Sequence, residues 1–99
     1  MTIKFDRNDK RLTVAVEGRL DTLTAPELEE KLESALDSVE KLIFDFSELE
    51  YISSAGLRVL LAAVKETNAQ GGEMTITNVC PDVMEVFEVT GFVDILTIL

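Results

Sequence analysis

Apolar and polar residues alternate strictly at the start of the chain. Ile3 and Phe5 are separated by polar residues, Arg7-Asn8-Asp9-Lys10 is a polar break, and Leu12, Val14 and Val16 resume the alternation. A two-residue period belongs to a half-buried strand, so the segment predicts a β-hairpin. After Gly18 the period lengthens: Leu28, Leu32, Ala35 and Leu36 form one stripe, with Glu27, Glu29, Glu30, Lys31 and Glu33 between them, as in an amphipathic helix. Thr24 stands where an N-cap is expected, with Pro26 in the first turn and Glu27 placed to close a capping box. Residues 42–46 are nearly all apolar and too few for a helix, which predicts a buried strand.

The remainder alternates between helical and strand patterns. A second helix over about 55–67 carries Leu57, Leu60, Leu61 and Val64 on one face and ends near Asn68 and the Gly71-Gly72 turn. Residues 73–77 predict a strand. A third helix over about 81–89 turns Val83, Val86 and Phe87 inward and stops near Gly91, and a last strand is expected near 95–98. The predicted order is ββαβαβαβ: a single α/β domain over 1–99, with a mixed, mostly parallel sheet and helices packed on it. No repeat, linker or low-complexity stretch divides it.

Composition narrows the function. The 99 residues contain 9 Lys+Arg against 19 Asp+Glu, a net charge of −10, and the excess is shared by both halves. Duplex binding draws its affinity from cations set against phosphates, so nucleic acid is not an expected ligand. There is no histidine, hence no Ser-His or Cys-His pair and no imidazole metal site. One cysteine, Cys80, forms neither an intrachain disulfide nor a CxxC pair, which fits a reducing cytoplasm. No apolar run nears the roughly 20 residues needed to cross a bilayer, and the N-terminus lacks the apolar stretch of a signal peptide. The expectation is a cytoplasmic protein without membrane insertion.

In open α/β sheets, function gathers at loops beyond the carboxyl ends of strands. Two loops qualify: residues 18–24, ahead of the first helix, and 47–54, ahead of the second. Ser54 is expected at the N-cap of the second helix, with Ser53 before it, and two readings stand. The hydroxyl caps the helix, or it accepts a phosphate that helix amides would tolerate. Gly56, in the first helical turn, costs up to about 1 kcal/mol relative to alanine. It therefore marks either tight packing on the sheet or close approach by a partner. Asp21 is a solvated loop acid, a receiver for a partner's cation, or an organiser of the serine loop.

Asp45 near the end of an apolar strand suggests an aspartyl-phosphate receiver, but the extra acids for Mg²⁺ and a lysine at a later strand end are missing, so a hydrogen-bonded structural role is preferred. Gly71-Gly72 lies in no phosphate-cradling motif. No nucleophile, base and oxyanion hole assemble, and no catalytic, cofactor-binding or metal-binding residue is assigned.

At Tyr51-Ile52-Ser53-Ser54-Ala55-Gly56-Leu57 the chain resembles the STAS domain family, specifically the stand-alone bacterial anti-sigma factor antagonists. Gly18-Arg19-Leu20-Asp21, Asp45-Phe46-Ser47, Gly71-Gly72-Glu73-Met74 and Val86-Phe87 followed by Gly91-Phe92 match in the same order along essentially the whole chain. The resemblance implies partner switching. The unphosphorylated protein binds an anti-sigma factor that is also a serine kinase and so frees a sigma factor; phosphorylation blocks that binding, and a serine phosphatase restores it. The family's phosphoacceptor falls on Ser54, with Ser53 as alternative, and the implied partner-binding residues are Asp21, Ser53, Ser54, Gly56 and Leu57. No cofactor is implied, and the protein is expected as a monomer or weak dimer. The other reading is a STAS adaptor that is not phosphorylated, serving a lipid-transport ABC complex or a stress-sensing assembly.

Overall fold

The computed structural model describes all 99 residues, Met1–Leu99. Thr2–Asn8 (β1) and Arg11–Leu20 (β2) form the expected antiparallel hairpin, in which Ile3 faces Val16 and Phe5 faces Val14. β2 is the organising strand because its second edge takes two parallel partners in tandem. Lys41–Asp45 (β3) pairs with residues 11–15, and Leu49–Ile52 (β4) pairs with residues 18–20. Glu73–Thr77 (β5) lies parallel on the far side of β3. Three helices complete the chain: Ala25–Ala35 (α1), Ser54–Ala69 (α2) and Pro81–Thr90 (α3), followed by a 3₁₀ turn at Phe92–Asp94. The α/β class and the mixed, mostly parallel sheet are as predicted.

The alternation along the strands decides where the helices go. Leu12, Val14, Val16, Leu42, Phe44 and Ile76 are fully buried under the helices, while Thr13, Ala15, Ile43, Asp45 and Thr77 on the opposite face stay half exposed. With the inward faces of the helices they form one cluster of 23 buried apolar residues.

Two elements differ from the sequence expectation. β4 lies within the stretch read as a loop. Its buried residues are the outer two, Leu49 and Ile52, with Glu50 and Tyr51 exposed between them, so the two-residue period is absent. It pairs because β2 outlasts β3 and the backbone groups of residues 18–20 need partners. The last strand is reduced to a single parallel bridge between Ile76 and Ile98. After α3 the chain spends Ile95 and Leu96 on the 3₁₀ turn, both amides donating to the Phe92 carbonyl, so pairing with β5 begins only at Thr97.

Two local devices were not legible in the sequence. Arg7, read as part of a polar turn, belongs to β1 and donates to the carbonyls of Ala35 (3.2 Å), Asp37 (3.1 Å) and Ser38 (3.4 Å), satisfying the open end of α1. Gly18 adopts φ +97° at the register shift where β2 passes from β3 to β4, a conformation that disfavours any side chain.

Gly56 is a packing glycine. A Cβ built on it would lie 2.8 Å from Leu20 Cγ, 2.8 Å from Ile52 Cγ1 and 3.0 Å from the Leu20 carbonyl oxygen. Both side chains are fully buried, and that carbonyl is fixed by the Ser53 amide at 2.9 Å, so none of the three can yield easily. Gly56→Ala is expected to lower stability by up to about 2 kcal/mol, because overpacking of about 1–3 kcal/mol outweighs a gain of about 1 kcal/mol in helix propensity. Thermal denaturation of the variant checks this, and an unchanged or raised midpoint would contradict it.

Candidate functional site

The carbonyl of Leu20 joins the two loops that the sequence singled out. It is the last residue of β2 and accepts the Ser53 amide, so the loop beginning at Asp21 and the first turn of α2 emerge side by side from the same end of the sheet.

Asp21 organises its loop. Its Oδ1 accepts the amides of Leu23 (3.0 Å) and Thr24 (3.1 Å), and its backbone carbonyl accepts the Ala25 amide at 2.8 Å. Thr24 immediately precedes α1 but makes no capping bond, so the predicted capping box does not form. Its hydroxyl instead donates to the Arg19 carbonyl at 2.7 Å and accepts the Asp21 amide at 2.8 Å. Burial works to raise the Asp21 pKa, but the bonds from Thr24 and Leu23, together with the nearby Arg19 cation, outweigh it and hold the carboxyl below its usual range. Arg19 Nε lies 3.7 Å from Asp21 Oδ2, and its guanidinium covers the Tyr51 ring at 4.2 Å from the centroid.

The second helix starts one residue earlier than expected, which moves the N-cap from Ser54 to Ser53. Ser53 is the N-cap of α2, with extended backbone at φ −103° and ψ 178°, and its carbonyl accepts the Leu57 amide at 3.0 Å. Its Oγ makes no capping bond and is buried without a hydrogen-bond partner. Ser54 is the first residue inside the helix, so its hydroxyl does not cap. That side chain is exposed and makes no hydrogen bond within the chain.

The remaining residues divide by depth. Gly56 is buried and Leu57 is only 4% exposed, within the core cluster, so both shape the surface from beneath. The apolar and charged groups that do reach solvent were missed by sequence periodicity. Leu23 is 88% exposed at the head of α1, Tyr51 is 39% exposed beneath Arg19, and Arg58 is exposed one turn after Ser54. The available signal was Leu23 itself, an apolar residue in a loop whose neighbours are polar.

Asp45 lies apart and has a structural role. Its Oδ1 accepts the Ser47 amide and Asn78 Nδ2, each at 3.0 Å, fastening the end of β3 to the segment after β5. The Asn78 amide and the Ser47 bonds lower its pKa against the opposing effect of burial. No group of three or more Cys, Asp or Glu is arranged to hold a metal ion, and no helix is long and apolar enough to cross a membrane.

The sequence profile of the STAS domain matches residues 2–99, and the chain belongs to that family. It is 35% identical, over 99% of its length and 85% of the relative's, to BtrV of Bordetella bronchiseptica, which carries a provisional name as an anti-sigma factor antagonist. It is 30% identical, over 99% of its length and 92% of the relative's, to the anti-sigma-B factor antagonist of Bacillus subtilis. Among solved structures, the unphosphorylated anti-sigma factor antagonist SpoIIAA superposes with a TM-score of 0.86 at 21% identity, covering 99% of this chain and 88% of that one. The phosphorylated form of SpoIIAA from Bacillus superposes at 0.77 with 20% identity, covering 99% and 91%.

A carboxyl whose folded pKa is depressed stabilises the fold fully above its unfolded value and loses that contribution as pH falls through the folded value. Replacing Asp45 with alanine should therefore cost on the order of 1 kcal/mol above about pH 5, after allowance for partial exposure. The gap from the parent should narrow as pH drops below about 4. Denaturant melts of both proteins across this range check it; a gap constant down to pH 2.5 would remove the carboxylate's role.

Proposed function

We propose that this chain is an anti-sigma factor antagonist worked by a phosphorylation switch at Ser54. As a single STAS domain in the cytoplasm, the unphosphorylated protein binds an anti-sigma factor that is also a serine kinase and so releases a sigma factor. Phosphorylation ends that binding, and a serine phosphatase restores it. The chain supplies the accepting hydroxyl, and catalysis belongs to its partners.

The observation that carries this reading is the state of Ser54: an exposed hydroxyl with no structural task, on the first turn of α2, beside a loop held in shape by Asp21. Ser53, the alternative acceptor, has its Oγ buried. A kinase reaches the first without unfolding anything and the second only by opening the turn. The names of BtrV and the Bacillus subtilis relative support an antagonist's role, and the existence of SpoIIAA in two phosphorylation states supports the switch.

The binding surface would be made of Leu23, Tyr51, Ser54 and Arg58 around the ordered Asp21 loop, with Gly56 and Leu57 beneath. A phosphate of about −1.5 to −2 charge placed in the middle of such a contact opposes binding by several kcal/mol where the partner offers no cation to meet it. Ser54→Asp should therefore weaken binding to the cognate anti-sigma factor by about 100-fold or more, while Ser54→Ala retains parental affinity. Calorimetry on the purified pair measures both. Mass spectrometry after incubation with ATP and the cognate kinase should place phosphate on Ser54; equal affinities for the two variants, or phosphate on Ser53, would overturn the reading. A protein that no genome-matched kinase labels on serine, yet that assembles stably with a permease and its ATPase, would be the adaptor instead.

A further inference from the structure

A net charge of −10 opposes the addition of a phosphate, yet the charge is not spread evenly along the chain. Residues 54–65, the first three turns of α2, contain two bases and no acid. These bases, Arg58 and Lys65, are the only two in residues 51–99, and they follow Ser54 by four and eleven positions. At 100° per residue both fall on the helix face that carries Ser54. Arg58 is the nearer, one turn on, where side chains at i and i+4 meet. It is exposed and takes part in none of the four ion pairs and none of the side-chain hydrogen bonds of the fold.

The other charges around the head of α2 are already engaged or of the wrong sign. Arg19, from β2, is held by Asp21 and by the Tyr51 ring. Asp21 accepts three bonds from its own loop, and Glu50 on β4 is exposed and of the wrong sign. Arg58 is thus the one cation at this end of the helix with its guanidinium unassigned. Its planar fork suits two oxygens of a phosphate monoester.

We propose that Arg58 is the internal counter-ion of phosphorylated Ser54. The phosphate pairs with the guanidinium one turn along the same helix, which offsets the repulsion from the acidic domain and lets the modified protein persist folded. The same pairing removes Arg58 from the surface offered to a partner. Modification therefore changes two features of that surface at once: it adds an anion and withdraws a cation. This inference rests on the reading of Ser54 as the acceptor.

The test needs no kinase. Phosphoserine is encoded at position 54 of the full chain, and the second ionisation of the phosphate, near pH 6 when unperturbed, is followed by ³¹P NMR. With Arg58 present the midpoint should lie on the order of 0.3–0.5 pH unit below that of the phosphorylated Arg58→Gln variant, as expected of an i,i+4 pair strengthened by a doubly charged acceptor. Arg58→Lys should recover part of the difference, whereas Lys65→Gln and Arg19→Gln should leave the midpoint at the parental value. Arg58 is exposed, so the variants keep the fold, which their amide spectra report directly. Equal midpoints with and without Arg58 overturn the proposal, and so does an equal displacement on removing Lys65 or Arg19, which would assign the effect to the general field or to the other arginine. Because phosphoserine enters during translation, the outcome is independent of whether a kinase selects Ser54, and the binding measurements above fail or succeed separately.

Discussion

The closeness of α2 to the end of β2 is the constraint from which the rest follows. The Leu20 carbonyl takes the Ser53 amide, and Gly56, with no Cβ, lets the helix settle against Leu20 and Ile52. Moving the helix outward by the width of a methyl group would open the buried contact among these residues and break the bond that ends β4. With the helix seated, its first residue is exposed while its N-cap is covered. The different environments of Ser53 and Ser54 are consequences of that packing rather than of any difference between two serines.

The same contact explains why β2 must be long and divided. Its first half forms the core sheet with β3, and its second half, past the bend at Gly18, carries β4 and delivers Asp21 beside the helix head. Asp21 then holds its loop by accepting the amides of Leu23 and Thr24, which places Leu23 in solvent. An apolar side chain so exposed gives the acidic surface a contact that charge alone does not provide.

Electrostatics divides the molecule in a corresponding way. Acids dominate both halves of the sequence, but the exposed face at the start of α2 has none for three turns. A helix head usually benefits from acids in its first turn, because they complement the macrodipole. Their absence leaves the helix head without an acid to complement it.

Periodicity along the chain was enough to determine the α/β class, the opening hairpin, all three helices and the strands that become β3 and β5, because each buries one regular face against a common core. The family motif around Ser54 and Gly56 was legible as well, since it is local. What the sequence could not determine depends on neighbours far away in the chain. β4 exists because β2 has unpaired backbone to offer it, the expected last strand shrinks because a 3₁₀ turn takes its first residues, and Arg7 finds the end of α1 across about 30 residues. Nor could it say which serine would have its hydroxyl buried at the N-cap and which would be exposed, or that Leu57 would sink into the core. A hydroxyl's role is set by what its backbone is pressed against, and only the packing of α2 on β2 decides that.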